Sequence, residues 1–372
     1  MIYLDYQATT PVAPEVAQAM EPWIEEKFAN PHSPSRWGHE AAAAIEVARK
    51  QVEKAIDLKG GNVAFTGSAT EALNWALKGT VEKAPKGRNR IITVATEHAA
   101  VLDTCEWLGG QGVDLTILPV DREGRLDLDL LERELDERVL IVSVMMVNNE
   151  IGVRQPLTAV SEMAHKVGAL VLSDAVQALG RVELCHGPDL VAVSAHKIHG
   201  PKGIGALWMR KGHEPAPLIH GGGQEQGLRS GTLSPALCVG FGAAAKLADE
   251  RCTRDFDHVQ KLWKAAVHAL GPGWIINGSI AHRYPGNLNI RREGVDAARL
   301  IADLRDIAFS LGSACASGSG RPSHVLRALG LDYRESRSSI RLGFGRYTTQ
   351  HELVDACHRL AKAAVEQEKL DA

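Results

Sequence analysis

Over the first two-thirds of the chain, short apolar runs alternate with longer amphipathic stretches. The runs at 62–66, 90–96, 113–119, 139–147, 169–175, 190–195 and 205–209 have strand length. Several are apolar throughout, as strands buried on both faces should be. Between them lie helical patterns such as 38–56, where Ile45, Ala48, Val52 and Ala55 form one stripe. Strand–helix alternation predicts a largely parallel sheet with helices on both sides. From about residue 235 the pattern changes. Helical stretches at 235–251 and 255–270 precede strand-like segments at 285–293 and 338–346, which reads as a smaller α+β unit joined by the N-terminal segment. The expected division is a large domain over 12–250 and a small domain over 1–11 and 251–372.

Composition narrows the partners. The chain has 372 residues, 45% hydrophobic and 23% charged, with a formal net charge of -3 and no basic block. Nucleic acid and an anionic membrane surface are therefore not expected as main partners. The N-terminus carries Asp5 and Pro11 where a signal peptide would be apolar. No apolar run approaches the roughly 20 residues of a membrane span. The six cysteines are scattered without a C-x-x-C pair, so a cytoplasmic protein with free thiols is expected.

In open parallel sheets, ligands gather at the carboxyl ends of the strands. There the chain places "GSAT" at 67–70, Glu97 and His98, Asn148 to Glu150, Asp174 and Gln177, then Ser194, His196 and Lys197. Each has a bland reading: Asp174 could cap a helix, His98 could be a surface imidazole, and Gly67–Ser68 could be a simple turn. Polar residues at five strand ends need another reason, because core strands have no structural use for them. A lysine amine, a buried aspartate and a Gly-Ser helix start together suit pyridoxal 5'-phosphate, which needs an amine for its aldehyde, an anion for its ring nitrogen and amides for its phosphate. Lys202 is the rival lysine, but it follows Pro201, and Lys197 lies nearer the strand end. A metal site using His196 and His199 with Cys185 or His186 is the alternative, and it leaves Lys197 and Asp174 unused.

Two further stretches carry chemistry. Cys315 lies among Gly312, Ser313, Ala314, Ala316, Ser317 and Gly318, small residues unlike the apolar surroundings of a structural thiol. An inert loop thiol is the plainer alternative. In "SSIRLGFGR", Ile340, Leu342 and Phe344 are expected to face the core and Arg341 outward, beside a cleft where it could take a carboxylate.

The motifs "YLDYQATTPV", "ATEALNWALKG", "VNNEIGVRQP", "SDAVQALG", "SAHKIHGPKGIGAL", "HGGGQEQGLRSGTLS" and "GSACASGSGRPSHVLRALG", in this order from end to end, resemble the cysteine desulfurases of the NifS/IscS type in the class V aminotransferase family. The resemblance implies a fold type I pyridoxal phosphate enzyme: an α/β large domain with a mostly parallel sheet, and a smaller α+β domain carrying the catalytic cysteine. It implies conversion of L-cysteine to L-alanine, with the sulfur held as a persulfide on Cys315 and passed to an acceptor or iron–sulfur scaffold protein. Selenocysteine lyase or another β-elimination is the alternative activity. By the same resemblance Lys197 holds the coenzyme, Asp174 partners its ring nitrogen, Gln177 its ring hydroxyl, and His98 stacks on it. Ala69, Thr70, Ser194 and His196 match the phosphate cradle, with Thr232 reaching across from the second subunit of a homodimer. Asn149 and Arg341 match the substrate carboxylate site. Gln7 stands where the family often has Asn or Ser.

Overall fold

The computed structural model describes residues 1–312 and 323–371. A seven-stranded sheet forms its centre, with spatial order Gly61–Thr66, Gly205–Arg210, Leu190–Ser194, Leu170–Asp174, Val139–Ser143, Arg90–Val94 and Asp114–Leu118. Six strands run parallel, and Gly205–Arg210 is antiparallel to both of its neighbours. All seven expected runs are strands. The interior ones are Val-, Ile- and Leu-rich because helices cover both faces, so neither face can be polar. The edge strand Asp114–Leu118 is mostly half-exposed.

The second sheet is antiparallel, in the order Ser310–Leu311, Ser339–Gly343, Asn287–Arg291 and Ile275–Ile276. Ile2–Tyr3 pairs in parallel with Ile307–Ala308, so the N-terminal segment joins the C-terminal part as expected.

One expectation fails. The stretches 235–251 and 255–270 are a single helix, Pro235–Leu270, of 36 residues. Residues 252–254 contain no Gly or Pro, so nothing there breaks the hydrogen-bond ladder. Position 250/251, the expected domain division, falls inside this helix. The helix packs along Arg36–Ile56, and Phe241 meets Phe65 with ring centroids 6.2 Å apart. Phe65 lies in the strand Gly61–Thr66, directly before the Gly67–Ser68 turn, so this contact fixes the base of that turn. Replacing Phe241 by Ala should lower the unfolding free energy by about 3–5 kcal/mol, measured by denaturant titration.

Candidate active site

The carboxyl edge of the central sheet opens onto a cavity of about 600 Å³. Its walls include Ala69, Thr70, His98, Asn149, Asp174, Gln177, Ser194, His196, Lys197 and Arg341. Ten of the expected site residues thus converge from six chain segments. Thr232 is exposed and is not among the lining residues of this chain's cavity. Cys315 lies outside the described residues.

Lys197 closes a short 3-10 turn, Ala195–Lys197, that directly follows the strand Leu190–Ser194. Its Nζ donates to the carbonyls of Gln7 at 2.6 Å and Ala8 at 2.7 Å. A neutral amine has two hydrogens and a lone pair, and these two acceptors occupy both hydrogens. Burial, with the nearby Arg181 and Arg341 cations, pulls the Lys197 amine down to about 7 from its usual value, while Asp174 and Asp5 oppose the shift.

Asp174 ends the strand Leu170–Asp174 and is buried. Its Oδ1 accepts from the Val176 amide at 2.9 Å. Burial pushes its carboxyl above the ordinary range, against the pull of His98 and Lys197. It forms no ion pair within 4.0 Å among the described residues, so a protonated ring nitrogen would supply a missing counter-charge.

The Gly67–Ser68 turn opens the helix Ala69–Glu82, and Ser68 is its N-cap, accepting from the Glu71 amide. The Glu71 carboxylate folds back to take the Gly67 amide at 2.7 Å. The first-turn amides of Ala69 and Thr70 lie at the cavity wall, where the helix dipole favours an anion. Gly205 makes this possible: a Cβ there would lie 2.6 Å from the Ala69 nitrogen. The turn can press against the sheet only because position 205 has no side chain.

His98 caps the helix Ala99–Gly109, its Nδ1 accepting from the Ala100 amide at 3.1 Å. That bond places the proton of the neutral ring on Nε2. His196 Nδ1 lies 3.1 Å from Thr9 Oγ1. Burial and then the Lys197, Lys202 and Arg181 charges push the His196 imidazole down to about 4. Gln177 donates from Nε2 to the Gln7 carbonyl at 3.0 Å.

Arg341 differs from its expected placement. All five residues of its strand, Ser339–Gly343, are buried, and Arg341 itself is 0% exposed. The strand's polar face looks into the cavity and onto the N-terminal segment rather than toward solvent. Nη2 donates to Asp5 Oδ1 at 2.7 Å and Ser310 Oγ at 3.1 Å, and Nη1 to the Asn149 carbonyl at 3.1 Å.

Sequence reasoning missed the share taken by residues 5–10. Gln7 and Ala8 hold Lys197 through backbone carbonyls, Asp5 pairs with Arg341, and Thr10 Oγ1 donates to the His196 carbonyl. Backbone acceptors leave no side-chain signature, so only the cluster of small polar residues in "QATT" could have pointed here.

The class-V aminotransferase family model matches residues 2–356. The chain belongs to that family. It is 44% identical to the cysteine desulfurase IscS of Rickettsia bellii over 362 residues, covering 95% of this chain and 88% of the relative. A solved NifS-like protein superposes with a TM-score of 0.91 at 34% identity, covering 98% of this chain and 99% of that one. The structure entitled SspA in complex with cysteine superposes with a TM-score of 0.83 at 31% identity, covering 94% and 100%. Among class-V aminotransferases the chain falls with the cysteine desulfurases of the IscS and NifS type, which are pyridoxal 5'-phosphate enzymes. The cavity fits that coenzyme on its own terms: an amine held near neutrality, an unpaired buried carboxylate, and free helix amides made approachable by Gly205.

Gly205→Ala should push the Ser68–Ala69 backbone outward. Coenzyme affinity should fall about tenfold, equivalent to about 1.4 kcal/mol, in equilibrium dialysis against pyridoxal phosphate.

Proposed function

We propose that this cysteine desulfurase acts on L-cysteine with Lys197 as the lysine that holds the coenzyme and then moves the substrate proton. The observation that carries the reading is the Lys197 amine, buried beside cations, with both hydrogens occupied by the Gln7 and Ala8 carbonyls. Such a nitrogen is a nucleophile near pH 7, where an ordinary lysine is protonated.

Bound at Lys197, pyridoxal phosphate supplies an electron sink that makes the α-hydrogen of a bound amino acid acidic and its Cβ–S bond reactive. Asp174 would hold a proton on the ring nitrogen. His98 would orient the ring, and the Gln177 amide would donate to its hydroxyl. The amides of Ala69 and Thr70, with Ser194 and His196, would grip the phosphate. Arg341 and Asn149 receive the substrate carboxylate, which shares the guanidinium with Asp5. The Lys197 amine would take the α-proton of the bound amino acid and return it. The Cys315 thiolate attacks the substrate sulfur: the S–S bond of a persulfide forms, the Cβ–S bond breaks, and the three-carbon product takes up a proton and leaves as alanine.

The persulfide sulfur then passes to an acceptor protein, an iron–sulfur scaffold being the expected class. Thr232, exposed on its own chain, is proposed to complete the phosphate site of a second subunit in a homodimer. The two-domain division and a cytoplasmic setting belong to the same proposal. Among the described residues the cysteines are free, and no helix is long and apolar enough to cross a membrane.

Purified protein should show a visible absorption band that Lys197→Ala abolishes. Cys315→Ala should keep the band yet lose alanine release from L-cysteine by at least about 100-fold. A Cys315→Ala protein that still transfers sulfur would remove the cysteine from its role. Because Lys197 must be neutral to attack, the rate of coenzyme capture by stripped full-length protein should rise with pH through about 7 and then level off, followed by stopped-flow absorption.

A further inference from the structure

Among the described residues, Arg181 is a buried cation without a counter-ion. It follows Gly180 at the end of the turn that carries Gln177, and it is 8% exposed. Its Nη2 donates to the Lys197 carbonyl at 2.8 Å and the Tyr6 carbonyl at 3.2 Å, and its Nη1 donates to Gln177 Oε1. The guanidinium carbon lies 5.5 Å from the centre of the Tyr284 ring. No carboxylate pairs with it among the described residues. Asp255, which lines the same small cavity, is taken by Arg346 at 2.7 Å and Arg251 at 3.6 Å. Burying an unpaired cation is costly, and packing alone would be served as well by an apolar side chain.

We propose that Arg181 is a positioning residue for the desulfurase reaction: it orients the Gln177 amide with its donor side toward the cavity and sets an uncompensated positive charge against Lys197. The inference rests on the reading of Lys197 as the coenzyme lysine.

The orientation follows from donor and acceptor types. Arginine has only donors, so the Gln177 atom that faces it must be the carbonyl oxygen. The Gln7 carbonyl has only acceptor capacity, so it selects the Gln177 nitrogen. Together they fix the amide in one sense, with N–H groups available to an anionic ring oxygen. Without Arg181 the amide loses one of the two bonds that fix its sense, and only the Gln7 carbonyl opposes a turn of its oxygen inward, where it would repel that oxygen.

The charge acts on the lysine nitrogen. Arg181, Arg341, Asp174 and Asp5 are the charged groups felt at Lys197, and His196 and Lys202 border the same cavity. Arg341 is neutralised by its pair with Asp5, and Asp174 is committed to the coenzyme ring in the loaded enzyme. That leaves Arg181, of the two guanidiniums felt at Lys197, as the one that no described carboxylate cancels; His98, His196 and Lys202 also line the cavity. Tyr284, a neutral ring, and Arg341 are what Arg181 itself feels.

The test is a spectrophotometric pH titration of the holoenzyme, following the visible band of the lysine-bound coenzyme. In Arg181→Met the midpoint should move up by about one pH unit, because protonation of the lysine nitrogen is no longer opposed. Arg181→Lys, which keeps the charge, should stay within about 0.3 units of wild type. Should Arg181→Met fail to give folded holoenzyme, Arg181→Gln, which keeps donors to the Tyr6 and Lys197 carbonyls, carries the same expected rise. A midpoint unchanged in the neutral variants, or moved as far in Arg181→Lys as in them, overturns the proposal. A wild-type band that survives Lys197→Ala would instead overturn the reading of Lys197, so the two failures are distinguishable.

Discussion

The structure turns on making one primary amine easy to deprotonate inside a polar cavity. Lysine strongly prefers charge and water, and here both are made less favourable. Partial burial thins the water, two cations discourage the proton, and two carbonyls from the N-terminal segment satisfy the hydrogens of the neutral form. Each contribution comes from a different part of the chain. Residues 7–8 approach from the N-terminal segment, Arg181 from the turn after Asp174, and Arg341 from the small antiparallel sheet. The state of Lys197 is therefore a property of the assembled fold, and local unfolding of any of these segments would return it to an ordinary lysine.

Much of this was legible in the sequence. The central strands announced themselves because helices bury both faces, which demands uninterrupted apolar runs. Asp174 and Lys197 stood out because they interrupt such runs at their carboxyl ends, where a parallel sheet must place its ligands. The Gly67–Ser68 turn was legible for the same reason. Gly205 was not, since its importance lies in what its missing Cβ would strike, and that partner is more than a hundred residues away. Alternation along a strand puts Arg341 on the face opposite the core but does not say what covers that face. Here that face meets Asp5 and Asn149, so both faces are interior. The break expected near residue 252 had no physical basis beyond a polar stretch, and helices continue through polar stretches when one side still packs.

The cavity also separates its charges by chemistry. Among the described residues neither the Asp174 carboxyl, which burial pushes above its ordinary range, nor the Arg181 guanidinium has an ion-pair partner. Pairing them directly would cancel both fields and leave nothing for a coenzyme to complete. Arg341 and Asp5 are paired already, so the charge of that guanidinium is offset within the chain. The two arginines thus differ in kind: one is offset by a carboxylate, and the other keeps its field.

A second set of buried ions fixes the loop that leads to Thr232. Glu225 and Gln226 both adopt left-handed backbone, with φ of 49° and 59°, which non-glycine residues avoid. The Glu225 carboxylate offsets that cost by taking Arg49 at 2.6 Å and the Phe65 amide at 2.7 Å, so the loop is clamped to the first strand of the central sheet. Four residues later Arg229 grips Glu71 at 2.7 Å, and Glu71 in turn holds the Gly67 amide. The 220–231 segment is thereby tied at one end to the strand that launches the phosphate turn and at the other to the turn itself. Strain, ion pair and turn form one continuous chain of contacts, and for that reason a glycine-rich stretch is held in place beside the cavity.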